Sequence, residues 1–139
     1  GRGAGATRNG APIHCSSATD IAAALVGTGF NYSPATRARQ AQRLAELLLE
    51  VRDVRRFGSA ALDLCMVACG RLDAYFEEHL NSWDLAAGVL IAAEAGAATS
   101  NFHGGAADTD AVVATAPGIH DALISLITTI DAGARQRGL

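Results

Sequence analysis

Asp84 stands directly after Trp83, where an apolar helix over Trp83–Ala95 is expected to begin, and Glu77 closes an alternating strand seven residues upstream. Two carboxylates converging from a strand end and a helix start suit a hard divalent cation such as Mg²⁺, which takes oxygen ligands. Each also has an ordinary explanation. A carboxylate in a helix's first turn gains ~0.3–1 kcal/mol from the helix dipole, and a Glu at a strand end can simply be solvated. A second candidate is the turn Gly58-Ser59-Ala60, set before another apolar helix. Glycine permits close approach there, and the free amides of a helix N-terminus can donate to a substrate oxygen. Ser59 as a plain N-cap would account for the same residues.

Other chemistries are disfavoured. Cys65 and Cys69 lie four apart on one predicted helix face, with Cβ atoms ~5–6 Å apart, beyond the ~3.5–4.5 Å of a disulfide. Together with Cys15 they read as small buried hydrophobes of a reducing compartment. His14, His79, His103 and His120 are scattered without the paired spacing of a zinc site. The basic residues are all arginine, form no dense run, and sit in a chain of net charge −3, which argues against nucleic acid. Asp63, Arg71 and Glu94 break the longest apolar runs, far short of the ~20 residues of a membrane span.

The elements that must position these residues follow from periodicity. Half of the 139 residues are hydrophobic, enough for one domain with a real core. Arg8-Asn9-Gly10 predicts a hairpin, and the chain is expected to begin inside a larger protein. Ile21–Thr28 is an apolar run suited to a buried strand. Pro34–Arg52 is predicted helical, with Ser33 as N-cap and Pro34 at the first helical position. Its apolar stripe is Ala38, Ala41, Leu44, Ala45, Leu48 and Leu49; Arg37, Arg39, Gln40, Arg43 and Glu46 are assigned to a solvated face. Strand Asp53–Phe57, helix Ser59–Cys69, a strand to Glu77, helix Asp84–Ala95, strands Ala97–Ser100 and Ala111–Thr115, and helix Pro117–Arg135 complete the chain. In the strand before the loop Glu78–Ser82, Leu72, Ala74 and Phe76 form an apolar face and Asp73, Tyr75 and Glu77 a polar one. Strands alternating with helices indicate an α/β fold, a mixed sheet flanked by helices in an α-β-α sandwich.

The stretches GSAALDLCMVACGRLDAYFE and SWDLAAGVLIAAEAGA, with the opening GxGA…NG hairpin, closely resemble the carboxy-terminal half of the inositol monophosphatase family. That family's W-D signature is matched by Trp83-Asp84, and its E-A-G-G ending by Glu94-Ala95-Gly96-Ala97, with Ala97 departing from the pattern. The resemblance implies that Asp84 binds a catalytic magnesium ion near the ester oxygen and that Glu77 hydrogen-bonds substrate hydroxyls. It also implies that main-chain groups of Gly58, Ser59 and Ala60 meet the substrate ring, with Arg56 beside them.

The family's remaining ligands, a Glu and a D-P-[LIV]-D-G-T segment, have no counterpart here, and Asp108-Thr109-Asp110 is not that motif. The chain is therefore expected to be a carboxy-terminal, substrate-side half that works with an amino-terminal metal-binding half, and to be inactive alone. The expected activity is Mg²⁺-dependent hydrolysis of inositol monophosphate or a related polyol or sugar phosphate monoester, in a cytoplasmic homodimer. Fructose-1,6-bisphosphatase, histidinol phosphatase or nucleotide 3′-phosphatase activity are the enzymatic alternatives. A non-catalytic regulatory module of the same fold is the alternative outside catalysis.

Overall fold

A computed structural model describes residues 1–138. A small hairpin of β1 (Thr7–Arg8) and β2 (Ala11–Pro12) comes first. Its turn residues Asn9 and Gly10 have φ of 51° and 80°, both left-handed as a type I′ turn requires. The body of the chain is β3 (Leu25–Thr28), α1 (Pro34–Leu47), β4 (Asp53–Arg55), α2 (Ala60–Ala68), β5 (Ala74–Glu78), α3 (Ser82–Glu94), β6 (Ala98–Ser100), β7 (Ala111–Thr115) and α4 (His120–Gln136).

The five longer-range strands form one sheet in the order β4-β3-β5-β7-β6. β3 runs parallel to β4 and β5, whereas β7 is antiparallel to β5 and β6. Helices α1 and α4 cover one face, where Val26, Leu47, Phe76, Val113, Leu123 and Ile127 are buried. Helices α2 and α3 cover the other, over Leu64, Val67, Tyr75, Leu85 and Val112. The predicted α-β-α sandwich with a mixed sheet is the architecture observed.

Four local expectations need correction. The run Ile21–Thr28 is not all strand: Ile21–Ala23 is a 3₁₀ turn capped by Asp20, which accepts from Ala22 N, and only Leu25–Thr28 joins the sheet. Helix α1 stops at Leu47 rather than Arg52 because Leu48–Val51 turn back so that Arg52 N can donate to Ala24 O at 3.0 Å.

The predicted polar face of β5 is also covered. β5 is the middle strand, so both of its faces carry helices, and Tyr75 is fully buried beneath α2 and α3. Asp73 precedes the strand and braces its start, accepting from Ser16 Oγ at 2.7 Å and from Leu25 N at 2.8 Å.

The fourth correction concerns the orientation of α1. Gln40, Arg43 and Leu47 face inward, while Ala38, Ala41, Ala45, Leu48 and Leu49 are exposed. Periodicity assumed that apolar residues point in. Arg43 reverses this because two acids from other elements wait for it: Glu78 of β5 at 3.0 Å and Asp131 of α4 at 2.9 Å. A buried guanidinium held bidentately by Asp131 and singly by Glu78 is a tolerated exception to that assumption.

Candidate active site

A cleft of about 420 Å³ opens at one end of the sheet, where the loop after β3, the loop before α2 and the loop between β5 and α3 converge. Among its lining residues are Gly58, Ser59, Ala60, Glu77 and Asp84. All five residues singled out from the sequence are thus brought together, and Arg56 joins them.

Each is placed by its local structure. Ser59 is the N-cap of α2 and accepts from Leu62 N at 3.2 Å. Gly58 before it has φ of 85°, a conformation that disfavours any side chain. Asp84 sits in the first turn of α3 and accepts from Asn81 N at 3.2 Å, half of a capping box. Its dipole role and a ligand role are compatible, because a carboxylate has lone pairs left after one such bond.

Glu77 is not the last residue of its strand, which runs on to Glu78, and it is only part-exposed rather than a solvated strand end. It lies across the backbone of Gly29 in the adjoining strand's loop. A Cβ on Gly29 would stand 2.0 Å from Glu77 Oε1, so no other residue fits there while Glu77 keeps this position. Tyr75 OH donates to Glu77 Oε1 at 2.7 Å. Burial raises the Glu77 pKa above the usual carboxylate range; the Tyr75 bond and the Arg56 charge pull it back down, and Asp84 pushes it up. Burial likewise raises the Tyr75 phenol, helped by Glu77, so that it stays a donor.

Three contributors were not identified from sequence. Gly29 and Asn31 carry no chemical signature, and their roles come from the register that sets the β3 loop beside Glu77. Asp63, noted only as an interruption of an apolar run, is buried behind the cleft on α2. Its position on the stripe Ala60, Leu64, Val67 and Ala68 was the available signal: an acid at a core-facing helical position.

The donor set of the cleft is oxygen-rich, and Asp84 fits a hard cation. Among the described residues no group of three or more His, Cys, Asp or Glu side chains is arranged to hold a metal. What these residues can do unaided is accept hydrogen bonds from hydroxyl groups at Glu77 and donate main-chain N–H groups at the start of α2. Among the described residues no helix is long and apolar enough to cross a membrane.

An αβα layer with a cleft at its strand and helix ends is what the structure shows, and the comparisons give its family. A model of the inositol monophosphatase family matches residues 1–132, and the chain belongs to that family. The inositol-1-monophosphatase of Mycobacterium leprae (strain TN) is 56% identical over 117 residues, covering 83% of this chain and 40% of that protein. The solved structure of Mycobacterium tuberculosis SuhB superposes with a TM-score of 0.77 at 51% identity, covering 86% of this chain and 46% of that one. A protein named Nus factor SuhB from Xylella fastidiosa (strain Temecula1 / ATCC 700964) is 45% identical over 104 residues, 74% of this chain and 38% of its own length. The chain therefore spans about two fifths of the length of the curated relatives it matches.

Proposed function

We propose that this chain is the carboxy-terminal, substrate-side half of a Mg²⁺-dependent phosphatase acting on inositol monophosphate or a related polyol or sugar phosphate monoester. The observation that carries the reading is the convergence of Asp84, Glu77 and the Gly58–Ala60 turn on one cleft. Asp84 would be the one metal ligand this chain supplies, and an amino-terminal half would supply the others. When bound, the metal would activate water and neutralise charge on the leaving oxygen.

The chain's own residues orient the alcohol. Glu77, held over Gly29 by Tyr75, accepts from a hydroxyl of the leaving group. Main-chain groups of Gly58, Ser59 and Ala60, which line the same cleft, would border the ring. Fructose-1,6-bisphosphatase, histidinol phosphatase and nucleotide 3′-phosphatase activities would use the same carboxylate with a differently filled alcohol subsite.

A homodimer in the cytoplasm is part of the same proposal. Exposed apolar side chains along α1 and in the turn just after it, with Leu49 84% exposed, support a second copy, and sedimentation of the two-half protein as a monomer would remove that part. A second reading, a regulatory module without turnover, is favoured by the relative named as a Nus factor.

One experiment separates the readings. Joined to an amino-terminal half bearing the acidic cluster, the chain should release phosphate from inositol monophosphate. Asp84→Asn should then lose most activity at low Mg²⁺ and regain part at high Mg²⁺, with the fold intact because Asn is also acceptable near a cap. Residues 1–139 alone should bind Mg²⁺ negligibly by calorimetry. Activity from the chain alone, or an Asp84→Asn protein with unchanged magnesium dependence, would overturn the assignment; a folded two-half protein without any phosphatase activity would favour the regulatory module.

A further inference from the structure

Among the described residues, the buried side-chain oxygens left without a hydrogen-bond partner belong to Gln42 and Asp63. Asp63 is the sharper case. It is a carboxyl group only 1% exposed, and both of its oxygens are unpartnered. A carboxylate in that condition is far costlier than a carboxylic acid, since burial without partners penalises the charged form.

Its surroundings connect it to the cleft. Asp63 Oδ1 rests against Gly27 of β3, 3.4 Å from where a Cβ would stand, and Tyr75 Cδ1 is 3.5 Å from the same point. Two residues further along, Glu77 rests against Gly29 in the same manner. Tyr75 and Glu77, two apart on β5, share a face of the sheet at a spacing of ~7 Å. The two carboxyl groups therefore occupy neighbouring stations on one sheet face. Tyr75 belongs to both, opposite Gly27 in register and donating to Glu77.

The titratable and charged groups that bear on Asp63 are Glu77 and Tyr75 of β5 and Arg56 of the loop before α2, while Asp84 of α3 bears on Glu77 and Tyr75. Arg56 is exposed and makes no ion pair with Asp63 in the structure.

We propose that Asp63 is a positioning residue for the alcohol subsite, a neutral acid behind the cleft wall that lets Glu77 meet substrate hydroxyls as the single anion of the pair. Like charges at neighbouring stations oppose one another's ionisation. If Asp63 were ionised at working pH, the cleft wall would carry a second negative charge beside Glu77, and an anionic phosphate ester would meet that charge as repulsion. Burial is the main cause holding the Asp63 proton, with Glu77 second and Arg56 opposing, and the group is pushed up to about 7. Asp63 would then release its proton across neutrality, and substrate binding would weaken as the second negative charge develops.

This inference rests on the reading of Glu77 as the alcohol-binding residue. Two measurements test it apart from that reading. The first needs no catalysis: the Asp63 side-chain carboxyl, followed by carbon NMR in the intact chain, should titrate near 7 and move down by at least half a pH unit in Glu77→Gln. A titration in the ordinary carboxylate range, or one indifferent to Glu77→Gln, overturns the proposal.

The second uses the two-half protein and inositol monophosphate. Between pH 5.5 and 8.5 the parent's KM should rise severalfold more than that of Asp63→Asn, with kcat little separated between them; titration of the substrate phosphate is common to both and cancels in that comparison. Superimposable KM profiles overturn the positioning role. If the two-half protein shows no phosphatase activity, the functional reading fails while the NMR result still decides whether Asp63 and Glu77 share their charge.

Discussion

Glu77 and Glu78 are consecutive residues of the central strand, and they point to opposite sides of the sheet with opposite treatment. Glu78 is 8% exposed and its Oε1 receives Arg43 Nη1 at 3.0 Å and Gln40 Nε2 at 3.2 Å. Arg43 in turn holds Asp131 through Nε and Nη2 at 2.9 and 3.0 Å and lies over the Phe102 ring at 5.3 Å. Burial opposes the Arg43 charge, but the bonds to Asp131 and Glu78 more than offset it and raise the group further. On the other side Glu77 has one hydrogen bond, from Tyr75, and behind it Asp63 has none.

The difference teaches where structure ends and function begins. A closed ionic network gains nothing by meeting a ligand, whereas a carboxylate with unused acceptor capacity in a cleft retains a partner's place. The closed network also serves the open one. Gln40 Oε1 accepts from Asn31 N at 2.9 Å, so the same buried cluster fixes the loop that forms a wall of the cleft.

The strongest way to break this comparison is to remove Arg43. Arg43→Met leaves Glu78 and Asp131 facing each other without their cation, and breaking a buried pair in this way typically costs about 3–5 kcal/mol. Urea unfolding should show that loss, and Glu78→Gln added to it should recover a share by removing one stranded charge. A loss below about 1 kcal/mol would mean that water reaches the network and that the two sides of the sheet are not distinct.

The open side should reveal itself through pH. Asp63 holds its proton up to about 7 in the folded chain, against 3.8 as its ordinary value. Between those values the folded state binds the proton and the unfolded state does not, so stability falls as pH rises. The share due to this group is fully present below about pH 4 and is gone above about 7. It amounts to at most about 4 kcal/mol. Denaturation midpoints at pH 5 and pH 8 should therefore differ less in Asp63→Asn than in the parent. An unchanged difference would place Asp63 with the satisfied groups.

Glu77→Gln sharpens the comparison at the site itself. The substitution keeps an acceptor for Tyr75 OH and removes the charge, and hydrogen bonds to charged groups contribute ~1.5–3 kcal/mol. In the two-half protein it should change discrimination among polyol phosphates by roughly one to two orders of magnitude while leaving magnesium dependence nearly unaltered. A collapse of metal affinity with untouched substrate preference would assign Glu77 to the metal instead.

How much of this was legible in the sequence varies by cause. The strand β7 and the order of helices and strands follow from local periodicity and turn residues, which act within a few positions. The strand end at Glu77, the helix start at Asp84 and the turn Gly58–Ala60 are legible as candidate positions, their roles come from the family resemblance, and the cleft brings those residues together. The inward face of α1 was hidden because its determinants, Glu78 and Asp131, lie 35 and 88 residues from Arg43. Tyr75 was misassigned because alternation cannot distinguish a strand covered on one side from one covered on both. Asp63 was missed for a related reason: a single acid on an apolar stripe reads as an interruption until its missing partners can be seen.

The smallest expected effect separates main chain from side chain in the α2 turn. Ser59 Oγ accepts from Leu62 N at 3.2 Å and does nothing else in the structure. If the turn serves the substrate through its backbone, the hydroxyl contributes only to the helix. Ser59→Ala should then cost about 0.5–2 kcal/mol of stability, the usual range for a lost N-cap, and leave kcat/KM of the two-half protein within about twofold. Ser59→Gly should cost only a few tenths of a kcal/mol, because glycine is tolerated at N-caps. Ser59→Asp should restore the cap, and a carboxylate there benefits from the dipole, yet it adds a negative charge to a cleft that already holds Glu77 and Asp84. It should therefore keep stability while raising KM for an anionic phosphate ester. Stability and KM moving together across the three variants would show that the serine side chain, and not the turn beneath it, meets the substrate.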